Sequence, residues 1–306
     1  MSQMTKAQRE RLRLFHRGVS AAQRYTGSPE HYLCPICGTA FTQSALFTVD
    51  PELTREHAPP KAVGGKVIAL TCKSCNRTGG HSIDAALSGR ARQMHFADVL
   101  AHARDGEGGQ AELRIGSECV NIRVVAESNS PVRLEILGKA NNDLRAGGAV
   151  ERISAYVQEH ARENTWTGGD LVITTSKASY NPRLALIGDL RAAFLVAFAA
   201  FGYRYAFDQR LTLVRQQILA PDAQLIDGWG VTLTQTEDDQ SLLLLTEPIP
   251  AVMVKLGRIA VLLPWLDSPL NFYDVLATTH RPNGPLQGSG QEVKWPTTLE
   301  MVLDLP

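Results

Sequence analysis

The stretch LTREHAPPKAVGGKVIALTCKSCN (residues 53–76) ends in one Cys-x-x-Cys pair, and CPICG (34–38) supplies a second pair upstream. Each Cys-x-x-Cys bend brings two thiolates to one cation, and four thiolates complete a tetrahedral structural zinc site. The two pairs are separated by 34 residues. A redox pair or cysteines without metal are the alternatives, but two separate pairs in one short segment argue against both. We therefore expect structural Zn²⁺ to be held by Cys34, Cys37, Cys72 and Cys75.

The segment between the cysteine pairs is longer than the roughly 15–20 residues of a simple zinc ribbon, which indicates an additional element between the knuckles. The β-branched runs ALFTVD (45–50) and KVIALTC (66–72) predict two strands on either side of Glu56 and His57. A helix is predicted to begin near Asn76. Zinc would then join this helix to the strands, so that residues 20 positions apart face one another.

The Glu-His pair within this segment suits hydrolysis of a phosphodiester. Neutral histidine is a base that deprotonates water at about pH 7, and a divalent cation stabilises the charge that develops on the phosphate. Mg²⁺ prefers oxygen ligands and keeps several waters, so one carboxylate and one amide suffice. The sequence offers His57 as the base, Glu56 as the carboxylate and Asn76 as the amide. Because side chains alternate along a strand, Glu56 and His57 are expected to point to opposite faces.

Together, CPICG, LTREHAPPKAVGGK and LTCKSCNRTGGHSID resemble the HNH endonuclease family, in the variant of the ββα-metal fold whose knuckles carry structural zinc. The matching elements are an acid-His pair followed by Pro, a Gly-Gly-Lys turn, and a Cys-x-x-Cys-Asn step into a helix. The resemblance covers about residues 30–95, less than a third of the chain. It implies that His57 is the general base, that Glu56 and Asn76 hold one catalytic Mg²⁺ or Mn²⁺, and that cleavage leaves a 5′-phosphate.

Two departures from the family pattern concern this site. The acid is Glu56 where many members have Asp, which lengthens the side chain by one methylene but keeps the ligand type. The family's middle Asn, which steadies the base histidine, has no counterpart in GGKVIAL (64–70). His81 is a further candidate for catalysis, because some members use a histidine near this part of the helix as a metal ligand. A phosphate contact and a polar residue without a role are the alternatives for His81.

Basic residues surround the motif and are predicted to contact nucleic-acid phosphates. They are Arg55, Lys61, Lys66, Lys73 and Arg77. Such contacts give a salt-dependent affinity that is independent of nucleotide sequence. The whole chain has no net charge, but residues 1–100 carry 13 Lys and Arg against 7 Asp and Glu, which suits contact with a polyanion. A solvated surface is the alternative.

The predicted fold class is α+β, because the strands of the C-terminal two thirds alternate in residue pattern, which favours antiparallel pairing rather than βαβ winding. DGEGGQ (105–110) is the clearest linker by composition. The most apolar run, residues 184–207, contains charged residues that include Asp189 and Arg191, and is predicted to be a buried helix rather than a membrane span. The predicted parts are a basic helix (1–29), the HNH domain with zinc knuckles (30–104) and a larger α+β domain (111–306).

These features predict a metal-dependent endonuclease that hydrolyses DNA in the cytoplasm. The compartment is inferred from the absence of a secretory signal pattern at the start and from cysteines that fit a metal site. Domain order suggests a bacterial defence effector whose residues 111–306 bind DNA, a protein partner or a second copy, without involving a membrane. The alternative is a catalytically silent zinc-knuckle module that binds nucleic acid or protein, which would not need Glu56, His57 and Asn76.

Overall fold

Helices and strands are both abundant in the computed structural model, in which 44% of the residues are helical and 29% are in strands. This mixture confirms the α+β composition that the sequence predicts. The structure describes residues 4–27, 30–48, 50–80, 82–102, 108–125, 133–137, 148–163, 171–174, 180–232, 240–280 and 288–299.

The regular elements are numbered along the chain. The helices are α1 (Lys6–Thr26), α2 (Lys73–Gly80), α3 (Ile83–His102), α4 (Ala149–Glu163), α5 (Pro182–Ala206), α6 (Thr212–Leu219) and α7 (Phe272–Val275). The strands are β1 (Tyr32–Leu33), β2 (Ala40–Phe41), β3 (Leu53–Ala58), β4 (Lys66–Cys72), β5 (Gly108–Ile115), β6 (Glu118–Val125), β7 (Arg133–Ile136), β8 (Leu171–Thr174), β9 (Gly230–Thr232), β10 (Gln240–Glu247), β11 (Ala251–Leu256), β12 (Ile259–Pro264) and β13 (Ser289–Val293).

Two compact units divide the chain. The first combines Met1–Leu87 with Asn181–Pro306, and the second is Ser88–Tyr180. This division differs from the predicted parts, because the motif segment shares its unit with the C-terminal segment, and the predicted linker 105–110 lies inside the second unit. The physical reason is the apolar helix α5, which contacts β3 and β4 of the motif and thereby shares their core.

Helix α1 opens the first unit and lies close to the helix predicted there. Its N-terminus is a capping box, in which the Thr5 hydroxyl accepts from the Gln8 N–H and the Gln8 side chain accepts from the Thr5 N–H. Its buried face includes Gly18, where an added Cβ would lie 2.1 Å from a ring carbon of Tyr32. Only glycine therefore allows α1 to approach β1 so closely.

The motif hairpin differs in part from the predicted strands. The run KVIALTC forms β4 as predicted, and it pairs antiparallel with β3. The strand predicted at ALFTVD is wrong for the residues that the structure describes, because residues 43–46 form a 3-10 helix and the next strand, β3, begins at Leu53. Ala45 and Leu46 are neighbours and both are buried.

The helix α5 forms the centre of the first unit. The Asn181 side chain accepts from the N–H groups at its start, and proline occupies the first helical position. Phe194, Phe198 and Phe201 are buried, as their helical spacing predicts. By length and composition α5 would be able to cross a membrane, but 89% of its apolar window is buried inside the protein.

A five-stranded antiparallel sheet lies against α5. Its strand order is β13-β10-β11-β12-β9, and α5 contacts β11 and β12 of this sheet as well as β3 and β4 of the motif hairpin. The core of the first unit therefore has a central helix with a sheet and a hairpin against it. The second unit contains the four-stranded antiparallel sheet β7-β6-β5-β8, whose small core includes Leu113, Val120, Ile122 and, from α4, Ile153.

Two buried tyrosines fix the short strand β1 in the first unit. The Tyr32 hydroxyl donates to the Leu70 carbonyl at 2.6 Å and accepts from the Leu70 N–H at 3.1 Å. The Tyr203 hydroxyl of α5 donates to the Leu33 carbonyl at 2.7 Å and accepts from the Leu33 N–H at 3.3 Å. Each hydroxyl therefore gives one residue, Leu70 or Leu33, a partner for its backbone N–H and for its carbonyl.

Replacing Tyr32 by Phe is expected to destabilise the protein by about 1–3 kcal/mol, because the buried N–H and carbonyl of Leu70 lose their partner. The free energy of unfolding from urea titration measures the effect. The exposed Tyr25 provides the matched control, since Tyr25→Phe removes a hydroxyl at the surface. Equal stability of the two variants would contradict the assigned role of the Tyr32 hydroxyl.

Candidate functional site

Four cysteines of the first unit converge on one point. Their sulfur atoms all lie within 4.8 Å of one another, and the Sγ atoms of Cys37 and Cys72 are 3.7 Å apart. Tetrahedral coordination with Zn–S bonds of roughly 2.3 Å requires sulfur separations of about 3.8 Å. The predicted cluster of Cys34, Cys37, Cys72 and Cys75 is therefore confirmed as a group that could hold a metal ion.

Short turns and a strand end position these sulfurs. Cys34 and Cys37 lie in the turn between β1 and β2, Cys72 ends β4 and Cys75 lies in the first turn of α2. The Cys72 N–H donates to the Cys34 sulfur, and the Cys75 N–H donates to the Cys72 sulfur, both at 3.4 Å. The four thiols hydrogen-bond to one another, which lowers the pKa of Cys37 and Cys72 and raises the pKa of Cys34 and Cys75.

Glu56 of β3 is buried and makes two polar contacts. Its Oε2 atom accepts from the Thr71 hydroxyl at 2.9 Å and lies 3.0 Å from Nη2 of Arg191, a residue of α5. Burial raises the pKa of Glu56 and the charge of Asp84 adds to this, whereas Arg191 and Thr71 act in the opposite direction. The buried carboxylate is thus held by the charge of Arg191 and by the hydroxyl of Thr71.

Glu56 and His57 line the same pocket, although alternation along a strand predicts that they point to opposite faces. Strand pairing gives the reason, because Glu56 lies opposite Ala69 and His57 lies opposite Val67, which leaves Ile68 as an extra residue. Such a β-bulge increases the local twist and redirects side chains. The bulge therefore brings the carboxylate and the imidazole to one site.

His57 is half-buried at the edge of this pocket. Burial lowers the pKa of His57, and the positive charges of Arg55 and Lys61 lower it further, against an opposing effect of Glu10. The neutral imidazole, which accepts protons, is the favoured form. Among the residues that the structure describes, no group hydrogen-bonds to this ring, so the bulge and packing determine its position.

The pocket is small, with free space for about one water molecule, and it is open to solvent on one side. Its polar lining consists of Glu56, His57, Asp84 and Arg191. Asp84 lies in the first turn of α3 and is half-buried, and burial raises its pKa while Arg191 lowers it. The pocket thus combines two carboxylates, one imidazole and one guanidinium between apolar walls from α3 and α5.

Asn76 lies against β3 but is not part of the pocket lining. Its amide nitrogen donates to the Thr54 hydroxyl at 2.7 Å, and that hydroxyl donates to the Thr71 carbonyl at 3.2 Å. Since Thr71 also donates to Glu56, one short network connects Asn76 to the carboxylate. The structure therefore brings Glu56 and His57 to one pocket. Asn76 of α2 instead contacts Thr54, which lies two residues before Glu56 on β3.

Two of the five predicted phosphate contacts form ion pairs within the protein. Arg55 pairs with Glu10 of α1 at 2.8 Å, and Lys73 pairs with Asp50. The exposed members of the set are Arg55, Lys61, Lys66 and Arg77. His81, the further candidate for catalysis, lies outside the described residues.

Asp84 and Arg191 were not predicted as site residues. The sequence carried a signal for Arg191, because a charge inside the most apolar run of the chain is buried only when it is paired. Its partner was not predictable, since Glu56 lies in a distant part of the sequence. Asp84 ends the quoted motif segment, but nothing in the spacing distinguished it from a surface residue.

Comparison with protein-family models, with curated proteins and with solved structures finds no match for this chain. The likeness to HNH endonucleases therefore rests on the motif residues alone. The geometry of the cysteine cluster and the pocket supplies the independent observations from which function is argued.

Replacing Cys37 or Cys72 by Ser is expected to remove one bound Zn²⁺ per chain and to lower the melting temperature, because metal binding is coupled to folding of the knuckles. Metal analysis and thermal melting of the purified variants provide the readouts. Cys119 lies in β6, outside the cluster, so Cys119→Ser is the matched control and should keep its zinc. Full zinc content in the cluster variants would show that these thiolates are not ligands.

Proposed function

We propose that the chain is a metal-dependent endonuclease of the HNH type that hydrolyses phosphodiester bonds in DNA. The observation that carries the proposal is the β-bulge that brings Glu56 and His57 into one solvent-open pocket. The element order of β3, β4 and a following helix is the order that the family's ββα fold has. The cysteine cluster joins these elements at the position where family members carry structural zinc.

His57 would act as the general base in this reaction. Water adds to phosphorus, His57 takes a proton from this water, the bond from phosphorus to the 3′-oxygen breaks, and the 3′-oxygen takes a proton from solvent. The lowered pKa of His57 supports this role, because a base must be unprotonated when the substrate arrives. The product would carry a 5′-phosphate.

The residues of the pocket fit a hard divalent cation. Glu56 and Asp84 supply carboxylate oxygens, which Mg²⁺ and Mn²⁺ prefer as ligands, and both line the same pocket as His57. When bound, the cation would stabilise the charge that develops on the phosphate and on the leaving oxygen. The family resemblance assigns the second oxygen ligand to Asn76, whereas the pocket lining favours Asp84.

The cysteine cluster would hold Zn²⁺ in a structural role. None of the four cysteines belongs to the pocket lining, and their four thiolates would fill every position of a tetrahedral ion. A site closed in this way has no open position for water or substrate. Zinc would therefore fix the first knuckle, the end of β4 and the start of α2 relative to one another.

A basic surface beside the pocket supports a polyanionic substrate. Helix α1 presents exposed basic residues along one face, and the pair between Glu10 and Arg55 places this helix against β3. The exposed residues on this face include Lys6, Arg9, Arg13 and Arg17. Together with Lys61, Lys66 and Arg77 they would contact phosphates of DNA independently of sequence.

One observation favours a second candidate function, a catalytically silent zinc-knuckle module that binds nucleic acid or protein. The Glu56 carboxylate already has a hydrogen-bond donor in Thr71 and an opposite charge in Arg191, as a purely structural buried acid would require. A role in bacterial defence, a protein partner and a homodimer are further proposals, for which domain order is the only support.

Replacing His57 by Ala is expected to reduce nicking of supercoiled plasmid in Mg²⁺ or Mn²⁺ by about 10²–10⁴-fold, because the base is lost. Initial rates of conversion to open-circular DNA measure the effect. The exposed His16 of α1 lies outside the pocket, so His16→Ala is the matched control and should keep the wild-type rate. A wild-type protein that is as inactive as His57→Ala with every metal and DNA form would support the silent module instead.

Binding of Mn²⁺ to the zinc-loaded protein separates the two candidates for the second ligand. Glu56→Gln and Asp84→Asn are each expected to weaken Mn²⁺ binding by about tenfold or more, which corresponds to about 1.4 kcal/mol. Asn76→Ala should weaken it less, because Asn76 lies outside the pocket. Calorimetric titration measures the affinities, and thermal melting confirms that the variants are folded. The reverse order of effects would assign the ligand to Asn76.

A further inference from the structure

Arg191 is buried without the directed hydrogen bonds that a guanidinium normally makes. Its side chain is 3% exposed, and its Nε and Nη2 atoms have no hydrogen-bond partner among the residues that the structure describes. The 3.0 Å contact with Glu56 is therefore an ion pair in which the N–H directions do not meet the carboxylate well. Buried donors of this kind are rare and indicate an additional partner.

The position of Arg191 shows where that partner would lie. The side chain comes from α5, far from the motif in sequence, and lines the pocket together with Glu56, His57 and Asp84. The donors themselves are buried, but the pocket that Arg191 lines opens to solvent and has free space of about one water, which suits a single oxygen atom of a ligand. A planar guanidinium with several N–H groups matches the oxygens of a phosphate, which points to an anion as the ligand.

The charges of the pocket restrict which anion fits. Two carboxylates and one guanidinium leave one negative charge in excess when His57 is neutral. An anion by itself would be repelled, whereas a divalent cation reverses the sign and leaves one positive charge. A phosphodiester group carries one negative charge and would neutralise the site. The pocket therefore suits a phosphodiester together with a divalent cation.

We propose that Arg191 is a catalytic residue that binds the phosphate group to be cleaved, with its unpartnered N–H groups donating to the non-bridging oxygens. This inference rests on the proposed nuclease function and extends the site beyond the motif, to a residue of the C-terminal segment. Glu56 holds the guanidinium in place by charge and leaves its other donors for the substrate. Charge on these oxygens grows as water adds to phosphorus, so the contacts strengthen in the transition state.

A purely structural role for Arg191 is the competing explanation. In that case its only task would be to neutralise Glu56 inside the core. Lysine keeps the positive charge and supports the ion pair, but it lacks the planar set of donors. Arg191→Lys therefore separates charge neutralisation from recognition of the phosphate.

Arg191→Lys is expected to lower kcat for plasmid nicking by about 10²-fold at saturating Mg²⁺ and to leave the melting temperature within a few degrees of wild type. Arg215 is the matched control, because its Nε is also buried without a partner but it packs over Phe207, outside the pocket. Arg215→Lys should keep the wild-type kcat. A second readout uses Arg191→Ala, in which added guanidinium ion at millimolar concentration should restore part of the nicking activity.

The outcomes distinguish this inference from the proposed function. Reduced kcat in folded Arg191→Lys, with rescue of Arg191→Ala by guanidinium ion, supports phosphate binding. Wild-type kcat in Arg191→Lys, or a loss of activity that only follows a loss of folding in both variants, overturns it while the nuclease function stands. Absence of metal-dependent nicking in the wild-type protein overturns the proposed function and the inference with it.

Discussion

The buried ion pair between Glu56 of β3 and Arg191 of α5 is the interaction on which the first unit depends. Moving two charges out of water costs several kcal/mol for each ion, and their attraction offsets this only when both partners are in place. The hairpin and the helix therefore require one another. The hydroxyl of Tyr203, also on α5, reinforces this dependence by binding the backbone of the knuckle strand β1. The motif is thus part of a larger core and not a separate module.

The features that local chemistry determines were predictable from the sequence. The spacing within each Cys-x-x-Cys pair constrains the sulfurs directly, and the cluster of four is present as expected. Helix α1 and the buried aromatic face of α5 follow from helical periodicity, and β4 follows from a β-branched run. Within each Cys-x-x-Cys pair, each helix and each strand, the residues that decide the structure are close together in the sequence.

The features that were not predictable depend on contacts between distant segments. The bulge between Glu56 and His57 arises from pairing with β4, which leaves Ile68 as an extra residue, and no local signal marks it. The failure of the strand predicted at ALFTVD has a similar origin, since Ala45 and Leu46 are both buried by tertiary packing. The sequence predicts separate domains before residue 104 and after residue 111. The contact of α5 with β3 and β4, which puts both segments in one unit, was not predictable.

The distance in sequence between the ion-pair partners has a consequence for synthesis on the ribosome. Arg191 emerges about 135 residues after Glu56, which at roughly 5–20 residues per second is a delay of about 7–27 s. During this interval the motif hairpin has no helix α5 to cover it, and the Glu56 carboxylate has no cation from the protein. The nascent hairpin would therefore stay hydrated and open until α5 arrives, and a pocket of the kind described here would form only after the residues of α5 have been synthesised.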